Sequence, residues 1–370
     1  MPQKREMYGI LTINDDNNYG NRLQNYALQE LLRQFGPVTT IHFVHDINSS
    51  LDYYKIFWRS FKDSLRDFRN KHSNGETKLK AKRRDKFLKF TKNYVPDNIV
   101  RLTAYKGLEI KKGINLKKIV IGSDQVWNYT FFHSDIDMNL SFGSLLPKDK
   151  VISYAASIGV NQISNEKMNI FQNGLNHISH ISVREHKAKE LVEECSGSKA
   201  TVVLDPTMMI GANSWKKIFK DFVDDNDRYI VTYFLGEPSD AQEAIIQKYA
   251  KQNKLRIRRI NDLRDKETYC AGPEDFVELI CKSQYVFTDS FHACCFSLIF
   301  GKSFKVFNRH GYSGMHSMNS RMETLFQHFD LEPSMENEEY LPVLNAEVIG
   351  KKMEVLQRQS LAWLKNAILN

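Results

Sequence analysis

The feature of this sequence that most restricts its fold is a twice-repeated alternation of short apolar runs with amphipathic segments. Met7–Ile13 has the length and composition of a buried strand, and Arg22–Phe35 places its leucines on one helical stripe. A second series begins with the run Tyr229–Phe234, after the pair Asp205-Pro206. Strands that alternate with helices are typical of parallel sheets covered on both faces. The sequence therefore predicts an α/β protein with two Rossmann-like domains.

These segments divide the 370-residue chain into regions. We predict an N-terminal α/β domain over residues 1–205, which carries a basic helical insert at about 50–115. A C-terminal α/β domain follows over 206–345, and a helical tail over 346–370. The composition, 42% hydrophobic and 26% charged, excludes a disordered chain and a coiled coil.

The cysteines and the N-terminus indicate a cellular compartment. The chain has five cysteines, none of them in a C-x-x-C pair, which favours buried thiols in a reducing environment and argues against a zinc site. The N-terminal residues are too polar for a signal peptide, and no apolar run approaches the ~20 residues that span a bilayer. We therefore expect a cytoplasmic protein that binds no metal.

The chain is basic, with a formal net charge of +8 and a pI near 9.0. The excess lies between Arg59 and Lys92, where thirteen lysines and arginines accompany four acidic residues. This segment predicts either a helical hairpin with a solvated basic face or an amphipathic surface that rests on anionic lipid at the inner face of the membrane. No nucleic-acid-binding signature accompanies the charge, so nucleic acid is the least favoured partner.

Glycine and polar residues follow the first predicted strand. Gly20 lies at the turn into the helix, where backbone N–H groups can approach an anion, and Arg22 can add a full charge. The alternative is an ordinary turn in which Asn21 caps the helix. Gly20, Asn21 and Arg22 are therefore candidate substrate-binding residues.

A second polar turn follows the predicted strand Lys118–Ile121. Ligands of an open parallel sheet bind beyond the carboxyl ends of its strands, which is where this turn falls. The alternatives are that Ser123 or Asp124 caps a helix and that Trp127 packs beneath the loop. The candidate residues of this turn are Ser123, Asp124, Gln125, Trp127 and Asn128.

Two later strand ends add further candidates. Ser157 follows the run Val151–Ala155 among small residues, which let a ligand or another backbone come close. Arg184 follows the run His180–Val183 and offers a planar fork to a phosphate or a carboxylate. A salt bridge from Arg184 to Glu185 is the simpler interpretation.

The densest group of polar residues surrounds His292. Asp289 and Ser290 stand where they can cap the helix that follows. His292 falls in the first helical turn, where the helix dipole disfavours a protonated imidazole unless an anionic ligand is also bound. Downstream, two glycines and several polar groups predict either a ligand loop that includes Arg309, with Arg321 beyond it, or a mobile surface loop.

A set of these segments, taken in order, carries a resemblance to a known family. The segments are Asn18–Asn21, Tyr26–Gln29, Gly122–Asn128, Ser153–Gly159, Ser182–Glu185, Val203–Thr207, Thr288–His292 and Gly301–Phe304. In this order they resemble the polysaccharide pyruvyl transferase family. The resemblance implies two domains that face a cleft, as in the nucleotide-sugar glycosyltransferases of the B type (GT-B). It also implies transfer of a pyruvyl group from phosphoenolpyruvate to two hydroxyls of a sugar, as a cyclic ketal, in a cell-surface polysaccharide or its lipid-linked precursor.

The resemblance also implies roles for single residues. His292 and Arg184 match a histidine and an arginine that are associated with binding and catalysis in the family. Ser290 stands where many members carry arginine. A second cation for phosphoenolpyruvate is therefore expected from Arg309 or Arg321.

The chemistry of the implied reaction fits the available side chains. Phosphoenolpyruvate carries about three negative charges when fully ionised, so its site needs cations and N–H donors, which the chain supplies without a metal or cofactor. Protonation of its C3 methylene needs an acid, which we assign to His292, with Asp289 or Asp124 as base or orienting residue. Two alternatives stay open: a GT-B glycosyltransferase that uses a nucleotide sugar, and a non-catalytic family member that binds a glycan.

Overall fold

The fold was described from a computed structural model of the chain. The described residues are 5–44, 75–95, 100–103, 107–110, 114–132, 134–219, 226–308, 319–331 and 340–370. Within them the chain forms two α/β units, each built on a sheet of mainly parallel strands. The predicted fold class is therefore confirmed.

The sheet of the first unit has the strand order β4-β3-β2-β1-β5-β6, and only the pair β3–β4 is antiparallel. A parallel pair, β7–β8, continues this sheet through single bridges to the β6 region. The strands are β1 (Arg5–Leu11), β2 (Val38–Val44), β3 (Val100–Thr103), β4 (Gly107–Ile110), β5 (Ile114–Ile121), β6 (Val151–Ser153), β7 (Ile181–Val183) and β8 (Ala200–Val202).

Helices cover both faces of this sheet, which is why its central strands read as continuous apolar runs. On one face Phe142, Phe171 and Leu191 pack over the sheet, and on the other Leu28 and Leu32 do so. The helices are α1 (Tyr19–Leu32), α2 (Glu76–Tyr94), α3 (Asp135–Ser141), α4 (Asn165–Asn176), α5 (His186–Ser196), α6 (Pro206–Met209) and α7 (Ala212–Lys216).

The second unit repeats the plan with an all-parallel sheet in the order β10-β9-β11-β12. Its strands are β9 (Tyr229–Tyr233), β10 (Arg256–Ile260), β11 (Val286–Thr288) and β12 (Phe304–Val306). Its helices are α8 (Asp240–Asn253), α9 (Lys266–Tyr269), α10 (Pro273–Lys282), α11 (Phe291–Ile299) and α12 (Asn319–Phe329). The last helix, α13 (Ala346–Leu369), returns to the first unit, where Leu364 and Ile368 are buried against it.

The structure describes part of the predicted basic insert. The predicted range of about 50–115 contains β3 and β4, whose four residues each are too few to give a strand pattern in the sequence. Helix α2 is the part of the insert that the structure describes between β2 and β3, and residues 45–74 lie outside the described residues. The prediction that the whole insert forms a helical hairpin therefore stays a prediction.

Helix α2 joins the two units instead of standing in solvent. Its Phe87 and Phe90 are fully buried in the core cluster that also holds Tyr19 of α1 and Phe276 of α10. An ion pair of 2.6 Å connects Lys86 Nζ to Asp275 Oδ2 on α10. Within the described ranges, every helix is too short or too polar to span a lipid bilayer.

Candidate functional site

The candidate site lies between the two units, where the turns after β1, β5, β7, β8 and β11 come together. Asn21 Nδ2 donates to Asp124 Oδ2 at 3.0 Å, and Arg184 Nη2 lies 3.7 Å from Asp124 Oδ1. Arg184 Nη1 donates to Asp205 Oδ2 at 3.0 Å, and His292 Nε2 lies 3.7 Å from the same oxygen. Residues far apart in the sequence therefore converge on two carboxylates.

The turn after β1 is held together by its own polar side chains. Asn18, not Asn21, caps α1, because its side chain accepts from the backbone N–H of Asn21 at 3.1 Å. Arg22 is 1% exposed, and its guanidinium donates to Ile13 O and to Asn14 Oδ1, both at 3.1 Å. Arg22 thus holds the turn that presents Asn21.

Gly20 makes room for His292. A Cβ at position 20 would lie 2.0 Å from His292 Nδ1, so any other side chain would displace the imidazole. The ring of the second unit therefore rests directly on the first turn of α1. Glycine is required here by a close approach between the two units.

The turn after β5 brings Asp124 and Ser123 to the site through unusual backbone angles. Gly122 has a φ of +117°, and a Cβ there would lie 2.3 Å from the carbonyl oxygen of Tyr154. Asp124 itself has a φ of +72°. Ser123 Oγ donates to Asp205 Oδ2 at 3.0 Å, so this turn is joined to the turn after β8.

Other residues of this turn have their partners inside the first unit. Trp127 is fully buried and stacks on Phe142, as in the interpretation that it packs beneath the loop. Asn128 Nδ2 donates to Gln125 Oε1 at 2.9 Å, and Asn128 Oδ1 accepts from Thr130. Trp127, Gln125 and Asn128 thus have packing and loop contacts inside the first unit, and their predicted contact with substrate stays a prediction.

Arg184 lies at the centre of the cluster. Its guanidinium carbon is 4.5 Å from the ring centroid of Phe291, and its side chain is 2% exposed. The predicted salt bridge to Glu185 spans 4.0 Å, longer than the bond to Asp205. Arg184 Nε and Nη2 have no hydrogen-bond partner among the described residues. Two N–H positions of the fork are therefore left for a ligand.

Asp205, at the end of the turn after β8, is the site residue that sequence analysis missed. Its Oδ1 accepts from the backbone N–H and the hydroxyl of Thr207, and its Oδ2 accepts from Ser123 and Arg184. Burial alone would raise the pKa of Asp205, but the nearby imidazole of His292, the guanidinium of Arg184 and the Thr207 N–H hold it well below its usual range. The available signal was the stretch Val203–Thr207, which carries the family resemblance.

Asp124 is also held in its ionised form. Burial favours the neutral acid, but the charges of Arg184 and His292, the hydrogen bond from Asn21 and the charge of Arg321 lower the pKa of Asp124 below its usual value. Arg321 lies on α12, with its guanidinium carbon 6.0 Å from the ring of Phe291. Arg321 thus lies near Phe291, and its role stays a prediction, whereas Arg309 lies outside the described residues.

Ser157 and Glu185 form a buried pair behind Arg184. Ser157 Oγ donates to Glu185 Oε1 at 2.8 Å, and the backbone N–H of Ile158 donates to the same oxygen at 3.1 Å. This bond fixes the loop after β6 beside Arg184. The hydroxyl of Ser157 is thus bound to Glu185, and its predicted contact with substrate stays a prediction.

Asp289 and Ser290 flank His292 but have different surroundings. Asp289 Oδ1 accepts from the backbone N–H of Leu235 at 2.7 Å, and its Oδ2 accepts from that of Gly236 at 3.1 Å. Its carboxylate therefore holds the turn after β9. Ser290 is the N-cap residue of α11, yet its side chain makes no capping hydrogen bond.

Comparison with known families identifies the group to which the chain belongs. Residues 18–311 match the family model for polysaccharide pyruvyl transferase. The chain belongs to the polysaccharide pyruvyl transferase family. All the site residues described above fall within the matched range except Arg321. The predicted family is therefore confirmed.

Similar solved structures extend over nearly the whole of this family member. A UDP-GlcNAc 2-epimerase from Neisseria meningitidis is 11% identical over 96% of this chain and 99% of its own, with a TM-score of 0.40. A TarM mutant from S. aureus is 11% identical over 99% and 100%, with a TM-score of 0.42. A UDP-glucosyltransferase from Polygonum tinctorium is 12% identical over 100% and 99%, with a TM-score of 0.39. A comparison with curated protein sequences gave no match.

Proposed function

We propose that this protein transfers a pyruvyl group from phosphoenolpyruvate to a sugar of a cell-surface polysaccharide or of its lipid-linked precursor, forming a cyclic ketal. The observation that carries the proposal is the buried group of Arg184, His292 and Asp124 between the two units. It combines a guanidinium fork, an imidazole and a carboxylate at one place. The membership of the family supports the same reaction class.

Arg184 is the main group that we expect to bind the donor. One of its N–H groups donates a hydrogen bond to Asp205, while Nε and Nη2 have no hydrogen-bond partner among the described residues. A guanidinium fork matches the two oxygens of a phosphate or carboxylate, and a charge-assisted bond of this kind is about twice as strong as a neutral one. Arg321 supplies a second positive charge near Phe291.

The first turn of α11 adds backbone donors to these cations. Because the Ser290 side chain makes no capping hydrogen bond, it does not occupy the N–H groups at the start of α11. The dipole of that helix favours an anion at the same end. A serine in place of arginine at position 290 thus leaves the donor site with Arg184, Arg321 and helix N–H groups.

The reaction then needs one acid and two hydroxyls. His292 gives a proton to C3 of phosphoenolpyruvate, which makes C2 electrophilic, and the first sugar hydroxyl attacks C2. The second hydroxyl attacks the same carbon and inorganic phosphate leaves. One hydroxyl proton replaces the proton lost by the imidazole, and the other leaves with phosphate.

Asp124 is the carboxylate that we assign to the acceptor. Asp289 is bound to two backbone N–H groups, which leaves it a structural partner of Leu235 and Gly236. Asp124 faces Arg184 and His292. Since its pKa is lowered, Asp124 is a weak base, and we expect it to orient the sugar hydroxyl by accepting its hydrogen bond.

The experiment is a phosphate-release assay with phosphoenolpyruvate and a panel of β-galactosyl and N-acetylmannosaminyl acceptors, with His292→Gln as the inactive control. We expect phosphate release only when donor and acceptor are both present. Melting curves with phosphoenolpyruvate, UDP-sugars and GDP-sugars identify the donor, because a ligand of the folded state stabilises it. A shift with nucleotide sugars alone would assign a glycosyltransferase, and no shift and no turnover would assign a non-catalytic glycan binder.

A further inference from the structure

Asp205 occupies the point where the two units meet. It follows β8 at the end of the first unit and is the N-cap residue of α6. Its side chain is fully buried and contacts Ser123 and Arg184 of the first unit. The imidazole of His292, from the second unit, lies beside the same oxygen.

We propose that Asp205 is a positioning residue: its Oδ2 binds the guanidinium of Arg184 by a hydrogen bond and orients the imidazole of His292 by charge, so that both address the same donor. The inference rests on the proposed function for its catalytic consequence. Its structural part, the alignment of the two side chains, does not depend on the identity of the donor.

The hydrogen bonds of Asp205 show why it positions and does not react. Its Oδ1 accepts from the N–H of Thr207 at 3.0 Å and from the Thr207 hydroxyl at 2.7 Å. Its Oδ2 accepts from Ser123 and Arg184, both at 3.0 Å, and faces His292 Nε2. Both oxygens therefore already accept hydrogen bonds, which disfavours a role as proton acceptor. Its lowered pKa agrees with that role.

The ring of His292 is confined from both sides. Nε2 lies 3.7 Å from Asp205 Oδ2 and has no hydrogen-bond partner among the described residues, and Nδ1 lies against Gly20. Charged groups near the ring also include Asp124, whose pKa responds to His292, and Arg184 and Arg321, whose guanidinium carbons lie 4.5 Å and 6.0 Å from the centroid of the Phe291 ring. The carboxylate of Asp205 thus acts on Nε2 through its charge across 3.7 Å, and not through a hydrogen bond.

A capping role alone would not require a carboxylate. Asparagine caps a helix about as well as aspartate does, and glutamate is a poor cap. Asparagine has only one acceptor oxygen, however, and all the neighbours of Asp205 are donors when His292 carries a proton on Nε2. If the amide oxygen keeps the bonds to Thr207, the amide NH₂ faces Arg184 and His292, donor against donor.

The test compares Asp205→Asn with Asp205→Glu. A positioning role through charge predicts that the glutamate variant retains more activity than the asparagine variant, and a capping role predicts the opposite order. We expect kcat/KM of Asp205→Asn to fall roughly 10²-fold, as for a reacting group displaced by about 1 Å. Asp265→Asn is the matched control, since Asp265 caps α9 through Thr268 away from the site.

A double variant separates positioning from general loss of structure. If Asp205 acts through His292, then Asp205→Asn adds little to the loss of kcat caused by His292→Gln, because the two residues act as a unit. Additive losses would overturn the proposal. So would equal activity of the asparagine variant and the wild type.

One measurement is independent of turnover. Side-chain ¹⁵N NMR of histidine, with His292→Gln to assign the signal, reports which ring nitrogen of His292 carries a proton. We expect a proton on Nε2 in the wild type and in Asp205→Glu, and a changed signal in Asp205→Asn. An unchanged signal would overturn the alignment even if the protein uses phosphoenolpyruvate, and the expected change would support it even if no acceptor is found.

Discussion

The turn between β1 and α1 and the turn between β11 and α11 both lead from the carboxyl end of a parallel strand into a helix, yet they use their polar residues in different ways. In the first turn, Arg22 donates to Ile13 and Asn14 of its own loop. In the second turn, His292 leaves its own unit and lies against Gly20 and Asp205 of the other. The turn after β1 is thus a support held by its own side chains, and the turn after β11 carries the imidazole that packs against that support.

This difference shows that the end of a parallel strand predicts where polar residues cluster, but not which residues their side chains contact. Both Arg22 and His292 are less than a tenth exposed, and both follow a buried strand. Whether such a residue supports its own loop or takes part in the reaction depends on a contact residue from a distant part of the chain. For His292 that contact residue is Asp205, 87 positions earlier in the numbering.

The largest effect is expected from His292→Gln. Glutamine keeps similar reach and hydrogen bonding but delivers no proton at neutral pH, so phosphate release should fall about 10²–10⁴-fold. The melting temperature should stay near that of the wild type. The control is His177→Gln, which removes only the contact of His177 Nε2 with the carbonyl of Leu146 in the first unit. Near-normal turnover of His292→Gln would move the acid to another residue.

Gly20→Ala tests the close contact between Gly20 and the imidazole of His292. The added Cβ would lie 2.0 Å from His292 Nδ1, so the ring must shift. A shift of about 1 Å at a reacting group costs roughly 10²-fold in rate, and we expect kcat to fall by about that factor. Gly350→Ala on α13 is the control, because no atom lies within 4 Å of a Cβ there. Unchanged kcat in Gly20→Ala would show that the contact does not place the ring.

Arg184→Lys tests the role of the guanidinium group at the centre of the site. Lysine keeps the charge but loses the fork, so KM for the donor should rise about tenfold and more than kcat falls. Arg258→Lys is the control: Arg258 also pairs with two carboxylates, Asp227 and Glu267, but lies on β10 away from the site. A fall in kcat without a change in KM would assign Arg184 to the reaction step instead of donor binding.

The sequence predicts the general plan because apolar periodicity reports directly on burial. The two parallel sheets and the positions of Asp124, Arg184 and His292 at strand ends follow from that pattern. The strands β3 and β4 were not predicted, because they have four residues each and gain their stability from neighbouring strands. Asp205 was missed because an aspartate before proline has the pattern of an ordinary helix cap. Its second oxygen faces partners that only the tertiary fold supplies.

The smallest effect on turnover is expected from Arg22→Lys, which tests the supporting side of the comparison. Arg22 is 1% exposed, and its guanidinium bonds to Ile13 O, Asn14 Oδ1 and Asn21 Oδ1. An ammonium group cannot reach all three acceptors, and an unsatisfied buried polar group costs about 1–3 kcal/mol. The free energy of unfolding, measured by denaturant titration, should fall by about that amount, while KM for the donor changes little.

Arg33→Lys provides the matched control for this prediction, since Arg33 lies at the end of the same helix and pairs with Glu30 at the surface. Surface substitutions of this kind change stability by less than about 0.5 kcal/mol. If Arg22→Lys instead raises KM for the donor as much as Arg184→Lys does, Arg22 binds the donor. The turn after β1 would then bind substrate, as we propose for the turn after β11. A residue that only holds its own loop is expected to change KM for the donor only together with a matching loss in the free energy of unfolding.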